Sequence, residues 1–126
     1  MTTHWRLDDD RQTLVLASTG GRSPQVIYWG PPLPEDEDLA QLAAAVTLDV
    51  TGGMLDQNPD LSICPEASHS FPGQPGLIVR DSDGAPLLPA FKLREVVEAA
   101  QHLPVICEDR ANRPTYTAQF TLAPDT

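Results

Sequence analysis

The chain has 126 residues, enough for one domain and too few for two. Its formal net charge of -10 opposes nucleic acid and anionic membranes, which are held through Lys and Arg, and it carries only eight of those residues. Thirteen prolines and eight glycines cut the chain into short elements and exclude a helical bundle.

The first thirty residues read as a β-meander. His4-Trp5-Arg6-Leu7 is a short strand and Asp8-Asp9-Asp10-Arg11 a polar turn. The β-branched and apolar run Thr13–Ala17 is the second strand, followed by a turn over 18–24 that contains Gly20-Gly21. Gln25-Val26-Ile27-Tyr28-Trp29 is the third strand, closed by Gly30-Pro31-Pro32. Short β-rich runs at this spacing predict an antiparallel sandwich or barrel. Trp5, Tyr28 and Trp29 could stack on a sugar ring, but large aromatics in a meander more often fill the core, which is the expectation adopted.

One short helix is expected over about 36–47. Asp36 or Asp38 can cap it, the acidic run 35–38 suits the positive end of its dipole, and Leu39, Leu42, Ala43 and Val46 share a face. A long irregular loop follows, over about 50–77, broken by repeated Gly and Pro yet rich in residues that loops rarely carry. Its apolar content argues against disorder, and loops of this length in small domains are usually functional. The candidates for contact with substrate or with a neighbouring subunit are Met54, Asp56, Glu66, His69, Phe71 and Gln74.

Asp81-Ser82-Asp83-Gly84 is a turn signal. Residues 90–100 are ambiguous. Leu93, Val96, Val97, Ala100 and Leu103 make a helical stripe, whereas Phe91, Leu93, Glu95 and Val97 fit one strand face less cleanly. Periodicity alone slightly favours helix. Leu103–Cys107 and Thr115–Leu122 are the last two strands, separated by a turn over 108–114.

The chemical inventory is sparse. There is no nucleophile elbow, no phosphate-cradling glycine loop, no HExxH and no CxxC pair, and the three histidines are isolated in sequence. No cofactor and no metal are expected. Cys64 and Cys107 read as two buried reduced thiols, with a disulfide as the alternative. No signal peptide and no apolar run of transmembrane length is visible, so a cytoplasmic location is the default expectation.

The order of segments resembles the opening of bacterial α-galactosidases of glycoside hydrolase family 36. The resemblance is carried by Trp5-Arg6-Leu7-Asp8-Asp9, by Tyr28-Trp29-Gly30-Pro31-Pro32-Leu33-Pro34 and by the helix from Asp38 to Val46. Gly52-Gly53-Met54-Leu55-Asp56, Leu61-Ser62-Ile63-Cys64-Pro65-Glu66 and Phe71-Pro72-Gly73-Gln74-Pro75 extend it. It implies a mainly β fold, an antiparallel β-supersandwich, standing as the N-terminal domain before a catalytic (β/α)8 barrel that this chain lacks. The chain alone would be inactive. The whole enzyme would release terminal α-D-galactose with retention through a galactosyl-enzyme intermediate. The resemblance further implies a homo-oligomer, with the loop over Met54–Gly76 reaching the sugar pocket of an adjacent subunit. It implies a strand over Ala90–Val97, which is preferred to the helix reading. The chain departs from the commoner family form, which carries Asp-Phe-Arg after the glycine matching Gly73, since Gln74-Pro75-Gly76-Leu77 stands here. Two other readings remain open: a free-standing carbohydrate-binding sandwich, which needs Trp5 or Trp29 on the surface, and a domain serving only subunit contacts. The latter needs an exposed apolar patch at Met54, Leu55, Ile63 and Phe71.

Overall fold

In the computed structural model, which describes residues 1–46, 62–66 and 73–123, two three-stranded antiparallel meanders pack face to face. The first contains β1 (Thr2–Asp8), β2 (Thr13–Thr19) and β3 (Gln25–Gly30). A helix, α1 (Leu39–Ala45), follows, and then a two-stranded hairpin of β4 (Val79–Arg80) and β5 (Pro86–Leu87). The second meander contains β6 (Lys92–Val96), β7 (His102–Glu108) and β8 (Thr115–Thr121). The fold is therefore mainly β, antiparallel and sandwich-like, with one short helix among the described residues, as expected.

The core lies between the two meanders and follows from strand alternation. Leu7 pairs with Leu14 and Trp5 with Leu16, so these four share the inner face of the first sheet. Leu103, Val105 and Cys107 alternate on β7, and with Phe91 and Leu122 they meet Leu7, Leu14 and Leu16 in one buried cluster. Tyr116, Ala118 and Phe120 extend that cluster from β8. Phe91 and Tyr116 meet edge to face, with ring centroids 4.7 Å apart. At one rim the sheets are tied directly: Leu93 N donates to Gly21 O at 2.8 Å beside an Arg22–Lys92 bridge. Gly20 and Gly21 both have φ near +70°, at 65° and 74°, a region that L side chains rarely adopt. This glycine pair lets the β2–β3 turn reach the second sheet.

Strand β2 is buried on both faces. On its outer face are Thr13, Val15 and Ala17; the chain that leaves β3 bonds to Thr13 through Leu33, and Ala17 faces helix α1 across a cavity. Arg6 organises that departing chain. Its Nη1 donates to Pro34 O at 2.7 Å, its Nη2 to Leu33 O at 2.5 Å and its Nε to Asp8 Oδ2 at 2.6 Å. Thr13 Oγ1 donates to the other oxygen of Asp8 and accepts from Leu33 N. Arg6 and Thr13 draw the Asp8 carboxyl below its ordinary 3.8, against an opposing push from burial that is the largest individual influence.

Two expectations change and a third is borne out. Helix α1 starts at Leu39 rather than 36, because Asp38 is the residue whose side chain caps it, accepting from Gln41 N at 3.1 Å. Its C-cap is Val46, so the expected end at 47 falls outside the described residues, and Val46 itself is exposed instead of joining Ala43 against the sheet. Residues 92–96 form a strand within the expected span Ala90–Val97, and the competing helical stripe over 93–103 has a physical origin: Leu93 and Val96 both reach the core because a bulge between Leu93 and Glu95 resets the alternation. Trp29, expected in the core, is 73% exposed. It lies opposite Leu14 on the inner face of the first sheet, but β3 is an edge strand. No helix among the described residues is long and apolar enough to cross a membrane.

Candidate functional site

Of the six residues singled out in the long loop, Met54, Asp56, His69 and Phe71 lie outside the described residues. So do parts of the apolar patch that a subunit-contact domain would present, and Ile63, which is described, is half-buried against the core. Gln74 is exposed. Glu66 is only 6% exposed, and its Oε2 accepts from Phe91 N at 2.9 Å. Through that bond Glu66 anchors the irregular segment to the entry of β6, which is a structural role. The segment returns on itself through Gly76, whose N–H donates to Pro65 O at 2.9 Å. A Cβ at position 76 would stand 2.9 Å from Cys64 Sγ and 3.1 Å from Cys64 Cα, so only glycine permits this approach.

Beside Glu66 lies a cavity of about 420 Å³ between the outer side of the first sheet and helix α1. Ala17, Ser23 and Ile27 line it from the sheet side, Ala40 and Ala44 from the helix, and Glu66 from the irregular segment. The volume falls within the range that small-ligand pockets occupy. The lining mixes alanine methyls with hydroxyls, the Arg22 side chain and the buried Glu66 carboxylate. Glycoside cleavage needs two carboxyl groups across the bond. Among the described residues Glu66 is the sole carboxylate lining this cavity, so they bring no such pair together there.

Behind Ser23 runs a buried polar relay that the sequence reading missed. Tyr116 OH donates to Ser23 Oγ at 3.0 Å, and Ser23 Oγ lies 3.7 Å from Cys107 Sγ as donor to the sulfur. The residues come from a turn, the start of β8 and the end of β7, and nothing in their spacing links them. Burial pushes the Cys107 thiol above its ordinary 9.0, and the nearby Glu66 carboxylate adds to the rise, while bonds from Tyr116 and Ser23 oppose it. The Cys64 thiol is raised in the same way by burial, by Glu66 and by Cys107. Burial also raises the Tyr116 phenol far above 10.0. Burial thus favours the protonated form of all three groups. Both cysteines are buried free thiols, as read from the sequence.

A second feature stands on the opposite rim. Asp9 Oδ1 accepts from Arg11 N at 2.7 Å and from Gln12 N at 2.9 Å, fixing the β1–β2 turn. Gln12 Oε1 in turn accepts from Trp29 Nε1 at 3.1 Å. The indole is thus held by its edge while its surface stays open to solvent. Among the described residues no group of His, Cys, Asp and Glu could hold a metal ion.

Comparison with protein-family models, with curated proteins and with solved structures returned no match.

Proposed function

We propose that this chain is the N-terminal accessory domain of a retaining α-galactosidase resembling those of glycoside hydrolase family 36. In that role it supports subunit assembly and contributes to the sugar pocket through its long loop, and the chemistry belongs to a barrel elsewhere in the enzyme. The observation that carries the proposal is the meeting of two segments distant in sequence. The stretch around Arg6-Leu7-Asp8 and the stretch ending in Leu33-Pro34, which together carry the resemblance, are bonded to each other through Arg6, Asp8 and Thr13. Residues matched in two separate motifs therefore do one structural job, which supports a shared fold over a coincidence of composition. Strand β6 supports it as well, since the resemblance implied a strand where periodicity favoured a helix.

The test compares the chain alone with the polypeptide that carries it next to a barrel. The chain alone should neither hydrolyse p-nitrophenyl α-D-galactopyranoside nor bind galactose by calorimetry. The longer protein should hydrolyse it with retention and lose activity when residues 1–126 are deleted. Turnover by the chain alone, or full activity after the deletion, would sink the proposal.

One observation favours a second reading, a non-catalytic carbohydrate-binding sandwich: Trp29 is exposed with its indole edge pinned by Gln12. A fixed, open aromatic surface can stack on the C–H face of a sugar at small entropic cost. Binding of melibiose by the chain, abolished in Trp29→Ala, would establish that reading instead.

A further inference from the structure

Among the described residues strand β8 has one edge with no strand beside it, its sequence is self-complementary about a two-fold axis, and we infer that two copies of this chain associate by pairing β8 with β8 across Ala118. Among the described residues β8 is the outer strand of its sheet. Edge strands are ordinarily protected by charge, proline or bulges. Here β1 carries His4, Arg6 and Asp8, β3 is bulged and closed by Pro31-Pro32, and β6 is bulged and carries Lys92, Arg94 and Glu95. Strand β8, Thr-Tyr-Thr-Ala-Gln-Phe-Thr, has seven residues with no charge, no proline and an unbroken register.

The hydrogen-bond phase fixes which groups face outward. Asp109 N donates to Pro114 O and Leu122 N to Gln101 O, one bond beyond each end of the β7–β8 ladder. Antiparallel alternation then assigns the inward-bonding positions of β8 to Tyr116, Ala118 and Phe120. It leaves the N–H and C=O of Thr115, Thr117, Gln119 and Thr121 directed away from β7. Pro104, opposite Gln119, agrees with this phase, because that pairing needs no N–H from it.

Antiparallel pairing about Ala118 sets Thr117 opposite Gln119 and Thr115 opposite Thr121 of the second copy as hydrogen-bonded pairs, which are the positions with outward groups. The closer, non-hydrogen-bonded pairs are Ala118 with itself and Tyr116 with Phe120. Aromatic pairs and hydroxyl or amide pairs are the cross-strand combinations that stabilise sheets. The same patch thus serves both copies, as a two-fold interface requires. It joins two three-stranded sheets into one continuous sheet. The opposing force is the net charge of -10 on each copy, which salt screens. The inference deepens the subunit-assembly part of the reading proposed above, but its argument uses the edge of this sheet alone, so a failure in sedimentation is distinguishable from a failure of the galactosidase assay.

Sedimentation equilibrium of the 126-residue chain tests it. A reversible dimer is expected, tighter at about 500 mM than at about 50 mM NaCl because screening relieves the repulsion. Thr117→Lys with Gln119→Lys places like charges opposite one another, on side chains that are exposed in the monomer. This pair should weaken dimerisation more than about tenfold with an unchanged circular dichroism spectrum. It also brings the net charge nearer zero, so the loss would not come from overall repulsion. Thr117→Pro, which deletes one outward N–H, should act in the same direction and stands in if the lysine pair unfolds the sheet. A monomer at every salt and protein concentration, or dimers as tight in these variants as in the parent, would overturn the inference.

Discussion

Arg113 is the non-glycine residue with positive φ, at 71°, among those described. It closes the β7–β8 turn, where its N–H donates to Asp109 O at 2.7 Å. The left-handed region costs an L residue roughly 1–2 kcal/mol, and glycine escapes that cost while losing some chain entropy on folding. Arg113→Gly should therefore raise the thermal midpoint by about 2–4 °C, read by calorimetry. Position 76 works in reverse. A methyl there meets both the sulfur and the backbone of Cys64, so Gly76→Ala should cost about 1–3 kcal/mol in denaturant unfolding. An unchanged midpoint would mean that the irregular segment yields freely at Cys64. None of these demands was legible in the sequence, because φ and close approach are set by how distant segments meet.

At the scale of elements, Arg6 matters most as the bridge from β1 to the chain beyond β3. Arg6→Ala removes three hydrogen-bond donations and leaves the carbonyls of Leu33 and Pro34 to find other partners. The expected loss is about 1–3 kcal/mol by denaturant titration. Amide exchange at Leu33, whose N–H is held by Thr13 Oγ1, should quicken more than exchange within β7. The strands themselves were legible. Their alternation, their glycine and proline punctuation and the Asp38 cap are local signals that survive in the fold. The β6 conflict arose because a bulge puts Leu93 and Val96 on one side, a spacing of three that imitates a helix. Trp29 was misplaced for a different reason: composition marks an aromatic for burial, whereas being on an edge strand depends on which sheet ends where. For the candidate site, Glu66 draws notice by its position in an apolar loop as a contact for substrate or a neighbouring subunit, whereas the structure buries it against Phe91 N. Ser23 and Tyr116 gave no signal, since ninety-three residues separate them and only the packing of the two sheets brings them together.

For the whole molecule, titration should bound stability from both sides. Asp109 is buried and holds Asn112 through its side chain and the backbone N–H groups of Ala90, Ala111 and Asn112. The Asn112 bond leads in drawing it below 3.8, against a contrary push from burial. A carboxyl depressed in the fold stabilises above its unfolded pKa, and that contribution is lost as pH falls below 3.8 toward the folded value. Asp8 adds to it in the same sense. Cys64 and Cys107 are raised by burial above 9.0, and Tyr116 above 10.0. The thiols' contribution is complete below 9.0 and declines as pH rises beyond it, since the unfolded chain then releases protons that the fold retains. Thermal midpoints should be flat between about pH 5 and 8 and fall on both sides. A midpoint still rising at about pH 10 would contradict the buried state of the thiols.

The two meanders that face each other use separate stretches of chain, residues 2–30 and 92–121, and within each stretch every strand pairs with its sequence neighbour. Strand pairing therefore closes only short loops, while the long loop is closed once, when the finished halves dock through Leu93 and Gly21. Folding should accordingly resemble the assembly of two prefabricated parts. Two peptides, one ending at Val46 and one beginning at Ser62, should recover the β spectrum on mixing that neither shows in full alone.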